Sequence, residues 1–363
     1  MPAVLNAMVG TAVPPKPSKV IAFYGYATFS PYTPKAYEWL PDSGFGSALT
    51  AGAALPGAGQ GHQPVASNGI PGNMVGICAS SASPYMGTYL INSSGYGSKF
   101  SNPGTAPTGN CFSVAFTPNG SAVGYGHTTA PLATAYPVST AGYGTKYSNP
   151  STAFPATLNG LGWTEKGDEV AYATSNSPRW GIYNWSDTTG FGSRLSNSYT
   201  DIAVAARMGM WNSTGTSFVS STASAGYLGL YIMQRTPGAG FSSISNPASQ
   251  IPSEAQAMAF SKNKKVLAVG HTTSSPYIAA YQWNEITGIG TKYSDPASPS
   301  TARVWGLDFS PSGTDIIGSA VISTNSAVAW KWSDSGGFGT KYANPSTAPG
   351  SHALGCTVRG FYL

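Results

Sequence analysis

One segment of about 49 residues is written seven times along this chain, and no other feature constrains the fold as tightly. A Gly-aromatic-Gly turn stands at Gly44-Phe45-Gly46, Gly95-Tyr96-Gly97, Gly142-Tyr143-Gly144 and Gly190-Phe191-Gly192. It returns, altered, at Ala239-Gly240-Phe241 and Gly288-Ile289-Gly290, then in full at Gly337-Phe338-Gly339. The first residues of these turns lie 51, 47, 48, 49, 49 and 49 apart. Periods of roughly 40–50 residues with strand-like content mark propeller blades of four strands each.

A second row of positions keeps the same beat. After the turn come Lys99 to Pro103 (KFSNP), Lys146 to Pro150 (KYSNP), Ile244 to Pro247, Lys292 to Pro296 and Lys341 to Pro345, and blade four keeps Arg194-Leu195-Ser196-Asn197. Fourteen residues beyond the Asn position an apolar anchor is expected: Val65, Phe116, Trp163, Trp211, Phe260, Phe309 and Val358. Four residues further stands Gly69, Gly120, Gly167, Gly215 or Gly313, with Lys264 and Tyr362 departing from the rule. The inner strand ends at the anchor, a tight turn follows, and β-branched and aromatic stretches such as 266–270 and 277–283 supply the next two strands.

The chain starts inside a blade, since Val20-Ile21-Ala22-Phe23 matches a second strand. The missing inner strand stands at the other end, where His352 to Val358 aligns without gaps on Arg303 to Phe309. The expectation is an all-β, seven-bladed propeller over residues 18–363, four antiparallel strands per blade, closed by the C-terminal strand in blade one. Residues 1–17, with Pro14, Pro15 and Pro17, read as an extended arm, either a frayed terminus or a docking arm that orders on a partner.

Only 9% of the residues are charged, against about 25% in an average globular protein, and the net charge is +5. Aromatics at 12% exclude a disordered chain, and the scattered Lys and Arg exclude a nucleic-acid signature. No apolar run reaches the ~18 residues of a membrane span, so no membrane insertion is expected. The spacing of Cys78, Cys111 and Cys356 fits no metal motif and predicts buried free thiols.

Chemistry is sparse. No phosphate-binding loop, zinc-helix motif or nucleophile elbow is present. His127 and His271 occupy one repeat position, which suits a structural hydrogen bond, while His62 and His352 open inner strands facing the axis. Neither a cofactor nor a metal is expected. Glu165, Asp168 and Glu169 read as a solvated turn, and Asp308 has no paired carboxylate in its layer, so a two-carboxylate glycosidase has little to build on. Lys99, Lys146, Arg194, Lys292 and Lys341 recur at the outer strand, as edge cations that discourage sheet-to-sheet association. The loops between second and third strands present Tyr32, Tyr85, Leu132, Arg179, Trp180, Tyr227 and Tyr277. Of these, Tyr32, Tyr85, Arg179, Trp180, Tyr227 and Tyr277 are the candidate ligand-binding residues, with caps packing on the next blade as the alternative.

The VAFTPNG, HTTSSPYIAAYQW and GFGTKYANPSTAP segments resemble the WD40-like propellers encoded by tailed bacteriophages, which carry YSNPxTxP repeats and occur among virion components. The Trp-Asp signature and the Asp-His-Ser-Trp tetrad of eukaryotic WD40 proteins are missing. The resemblance implies a non-enzymatic structural protein located in the virion, as a head decoration, collar or tail-associated propeller. Its partners would be other virion subunits, met through residues 1–17, and a host surface glycan. A carbohydrate- or receptor-binding module for host attachment is the second reading, and a glycan hydrolase the third.

Overall fold

Seven four-stranded antiparallel sheets make up the computed structural model, which describes residues 16–26, 32–58, 65–68, 73–195, 201, 204–212, 214–222, 230–236, 240–243, 251, 253–272, 275–322, 326–347 and 352–362. Among the described residues every regular element is a strand. Except for Lys16 and Pro17, the proline-rich arm lies outside the described residues.

Within each blade the chain runs from the axis outward. The inner strands are Val65–Asn68, Cys111–Phe116, Leu158–Trp163, Ala206–Trp211, Ala255–Phe260, Val304–Phe309 and Ala353–Phe361. The last belongs to blade one, as expected. It pairs antiparallel with Lys19–Tyr26, from Lys19↔Phe361 through Ala22↔Val358 to Tyr26↔Ala353. The strand outruns the expected segment by three residues, and Phe361 is buried against Phe23, with ring centroids 6.4 Å apart. The Ser18 hydroxyl donates to the Phe361 carbonyl at 3.0 Å.

Blade two corrects the expected register. Val75 pairs with Tyr89 as Val123 pairs with Tyr136, yet the inner partner of Val75 is Ser67, whereas that of Val123 is Phe116. The anchor position there is Ser67, not Val65. Two extra residues lie in the preceding linker, so counting from the Asn position misplaces it.

The core is divided among the joints between blades. Along Lys19–Tyr26, Val20, Ala22 and Tyr24 face blade seven while Ile21 and Phe23 face blade two. Successive side chains on a strand point to opposite faces, and here both faces are covered. Seven apolar clusters result, one at each joint. This explains why second strands such as Val266–His271 are buried at every position.

The recurring aromatic of the KYSNP motif bridges these joints. Tyr147 packs edge-on against Trp185 at 5.1 Å, Tyr293 against Trp332 at 4.9 Å and Tyr342 against Trp39 at 5.0 Å. Its lysine secures the linker that follows: Lys146 Nζ donates to Asn149 Oδ1 at 2.6 Å, and Lys292 pairs with Asp295 at 2.7 Å. The turn between first and second strands takes a left-handed residue, Gly120, Gly167, Gly215 and Gly313 at φ 66–73°. Lys264 holds the same place in blade six at φ 59°, a conformation that costs an ordinary side chain about 1–2 kcal/mol.

Candidate functional site at the axis

Six of the seven inner strands carry an extra residue at the same place. Pairing with the second strand slips between Cys111 and Ser113, Leu158 and Gly160, Ala206 and Gly209, Ala255 and Ala257, and Val304 and Gly306. In blade one it slips where Tyr26↔Ala353 gives way to Gly25↔Gly355. The residues left out of the ladder are Phe112, Asn159, Arg207 with Met208, Gln256, Trp305 and Leu354. A bulge re-aims a side chain and interrupts pairing, and bulges are frequent beside active sites. Here they recur on the strands that line the axis, at the end where the linkers enter.

The flanking residues are uniform. Cys111, Leu158, Ala206, Ala255, Val304 and Ala353, just before the bulge, are all buried and apolar. The bulged residues differ in every blade, and they reach around the ring. Asn159 Nδ2 donates to the Ala206 carbonyl of the next inner strand at 2.8 Å. Arg207 Nη2 meets both oxygens of Glu254, at 3.3 and 3.4 Å, and Gln256 Nε2 donates to Glu254 Oε2 at 3.0 Å. Arg303 lies over the Trp305 ring, 5.9 Å from its centre, and makes no ion pair among the described residues. His352 stands next to it in the ring order, half-buried. Glu254, Arg303 and His352 share one repeat position, two residues before the bulge.

Beyond the bulge the ring tightens. A Cβ on Gly306 would stand 2.6 Å from the Cys356 nitrogen, and one on Gly160 would stand 2.7 Å from the Gly209 nitrogen. Neighbouring inner strands approach this closely only because glycine is present. The arrangement is a polar, partly charged mouth, with Asn159 and Gln256 buried in its wall and Arg207, Glu254 and Trp305 half-buried, above a throat where the strands approach closely. At the far end of the throat Asp308 accepts from Lys262 Nζ at 3.2 Å, Thr357 Oγ1 at 3.1 Å and the Val358 N–H at 2.9 Å. Burial would raise its pKa, but Lys262, the Val358 N–H and Arg359 outweigh burial and hold it below the ordinary carboxyl value. That acid is committed to joining blades six, seven and one.

The described loop residues singled out from sequence lie on separate blades, except that Arg179 and Trp180 share blade four, and they are not brought together. Trp180 is fully buried, stacked on Phe218 of blade five with centroids 6.0 Å apart. Arg179 pairs with Asp201 at 3.5 Å. Tyr85 and Tyr277 are half-buried in left-handed conformations, φ 61° and 60°, and pack into their blade joints. Tyr32 is half-buried at the joint of blades one and two, and Tyr227 lies outside the described residues. His62 also lies outside them. His127 Nε2 bonds Thr134 Oγ1 at 2.8 Å and His271 Nδ1 bonds Ser253 Oγ at 3.2 Å. Burial pushes both imidazoles down to about 4. Among the described residues no three His, Cys, Asp or Glu side chains cluster as a metal site, and the three cysteines are free and buried.

Neither a protein-family model nor a curated protein matches the chain. Solved structures do. A putative 6-phosphogluconolactonase from Bacteroides fragilis has 10% identity and a TM-score of 0.71, covering 94% of this chain and 98% of its own. One from Bacteroides uniformis has 12% identity and a TM-score of 0.71, covering 94% and 99%. The periplasmic gluconolactonase of Pseudomonas aeruginosa has 9% identity and a TM-score of 0.70, again covering 94% and 99%. At these identities the likeness shows the fold. It also corrects the functional expectation. The reading as a non-enzymatic structural protein located in a phage virion is overturned, because three of the propellers that match nearly end to end are bacterial proteins named as lactonases. The expectation was built on the repeats, which describe the scaffold, whereas the residues that vary between blades sit in bulges that an averaged repeat conceals.

Proposed function

We propose that the axial mouth is the active site of a hydrolase that opens a sugar-acid lactone. The observation that carries the reading is the coincidence of six bulges, which present Asn159, Arg207, Gln256 and Trp305 around one axis beside the Arg207–Glu254 pair. The names of the similar structures supply the substrate class: two are named putative 6-phosphogluconolactonases and one a gluconolactonase.

The chemistry follows from the groups. A lactone needs a water aimed at its carbonyl carbon and a donor for the oxygen on which charge develops. Glu254, fixed by Arg207 and Gln256, accepts the proton of the attacking water. Arg207, half-buried, offers N–H groups to the carbonyl oxygen, and Asn159 fixes the neighbouring inner strand through its bond to the Ala206 carbonyl. Water adds its hydroxyl to the acyl carbon, the acyl–oxygen bond breaks, and the proton passes to the departing ring oxygen, leaving a hydroxy acid. Trp305 provides an apolar face for the sugar ring.

The test is proton release from glucono-δ-lactone and its 6-phosphate, corrected for spontaneous hydrolysis. The wild type should accelerate the reaction, and Glu254→Gln and Arg207→Ala should each lower kcat/KM about 10²-fold, the loss seen when one charge-stabilising donor is removed. No acceleration by the intact protein rejects the reading.

A further inference from the structure

At the rim, between blades six and seven and on the face away from the axial mouth, lies a cleft of about 610 Å³ lined by Lys265, Gln282, Trp283, Tyr293, Asp334 and Ser335. Small-molecule sites are concave, of roughly 300–1,000 Å³, with a few convergent polar groups.

The neighbouring joint shows what this one lacks. Between blades seven and one, Lys331 and Asp42 form an ion pair at 3.5 Å that spans the same gap. Lys331 precedes Trp332 as Gln282 precedes Trp283, and Asp42 follows Trp39 by three residues as Ser335 follows Trp332. Blade six and blade seven therefore place two neutral side chains where the next joint places its bridge. Gln282, Ser335 and the Lys265 ammonium have no side-chain partner among the described residues.

The floor differs as well. Trp185 and Trp332 each donate their indole N–H to the Asp two residues on, Asp187 at 2.8 Å and Asp334 at 3.0 Å. After Trp283 that residue is Glu285, which bonds Thr214 of blade five at 3.2 Å instead. The Trp283 N–H is left as a buried donor with no acceptor among the described residues, as is that of Trp163 in blade four. Asp334 is held by Asn263 and Trp332, so its carboxylate is fixed in place.

We infer that this cleft binds a neutral, hydroxyl-rich ligand of the pyranose type, separately from the axial site. One ammonium and one carboxylate balance, which disfavours a charged ligand. Donors (Lys265, Gln282) and acceptors (Asp334, Ser335) alternate along the walls, matching hydroxyls that do both. Tyr293, half-buried, supplies aromatic surface for the C–H face of a sugar ring, with the edge of the buried Trp283 at the floor.

The experiment is saturation-transfer NMR and calorimetry on the intact protein with glucose, N-acetylglucosamine, maltose, cellobiose and glucuronate. At least one neutral sugar should bind with millimolar affinity. Gln282→Lys/Ser335→Asp, which installs the bridge of the next joint, should weaken that binding at least tenfold without lowering Tm. Lys265→Ala, at an exposed position, should also weaken it if the double variant folds poorly. Glu254→Gln should leave it unchanged, which keeps failure of the cleft distinct from failure of the axial reading. Absence of binding by every neutral sugar, binding of glucuronate alone, or binding that survives the closing variants would each overturn the inference.

Discussion

Replacing Asp308 by Asn tests how the ring is closed. The carboxylate accepts from Val358 N–H at 2.9 Å and Thr357 Oγ1 at 3.1 Å, both on the C-terminal strand, and from Lys262 at 3.2 Å on the other side. A hydrogen bond to a charged group contributes about 1.5–3 kcal/mol and a neutral one about 0.5–1.5, so two bonds that lose their charge forfeit about 2 kcal/mol. The Lys262 pair adds less than about 1 kcal/mol, because its side chains are 40% and 19% exposed and solvent screens them. The total is about 2–3 kcal/mol. At about 2.1 cal/mol/K per residue, the unfolding entropy of 363 residues is roughly 0.8 kcal/mol/K, so Tm at neutral pH should fall by roughly 3–4 °C. The pH dependence has a definite sign. The folded-state pKa of Asp308 is depressed below 3.8, so its contribution is fully present above that value and is lost as pH falls through the lower, folded-state pKa. The gap between wild type and variant should therefore close in acid. Scanning calorimetry against Asp42→Asn, whose carboxyl is 90% exposed and should change stability by no more than about 0.5 kcal/mol, provides the comparison. Equal Tm values for the two variants, or a gap that widens in acid, would refute the latch.

Three further outcomes are expected. Lys264→Gly should have a denaturant midpoint higher than Lys264→Ala by the equivalent of about 0.5 kcal/mol, since both lose the Glu165 ion pair but only glycine relieves the left-handed strain at φ 59°, by more than the added chain entropy; a lower midpoint for the glycine variant counts against this. Gly306→Ala should cost at least about 1–3 kcal/mol, because its Cβ meets backbone at 2.6 Å, while Gly104→Ala, with nothing within 4 Å, should stay within about 0.5 kcal/mol; calorimetry on the pair decides. His127 and His271 should titrate by NMR with midpoints at about 4, so their contribution to stability is complete above the ordinary value of 6.5 and declines as pH drops toward 4; midpoints near 6.5 would contradict the burial described.

The scaffold was legible because its determinants are local and repeated. The glycine of each turn marks a left-handed backbone position, and the departure at Lys264 marked the one described turn of its kind that adopts it without glycine. The gapless match of His352–Val358 to Arg303–Phe309 located the closing strand. What stayed hidden depends on partners distant in sequence. Trp180 looked like a loop platform because Phe218, on which it stacks, belongs to the next blade. The axial residues escaped because a bulge adds one residue without changing the apolar positions on either side. The signal was nonetheless present: Asn159, Arg207 and Gln256 interrupt inner strands whose flanking residues are all apolar.

The recurrence of the bulge bears on how such a molecule can change. A residue outside the ladder pairs with no second-strand neighbour, and the packing is carried by the positions on either side of it. Substitution there alters what the axis presents while leaving the pairing register and the seven joints as they were. Six of the seven blades thus contribute an adjustable position to a shared centre, and the choices at these positions combine multiplicatively. A ring of repeats carries these positions ready-made, so a new specificity can be reached through single replacements whose cost is the bonds that side chains such as Asn159 and Arg207 make to the next blade.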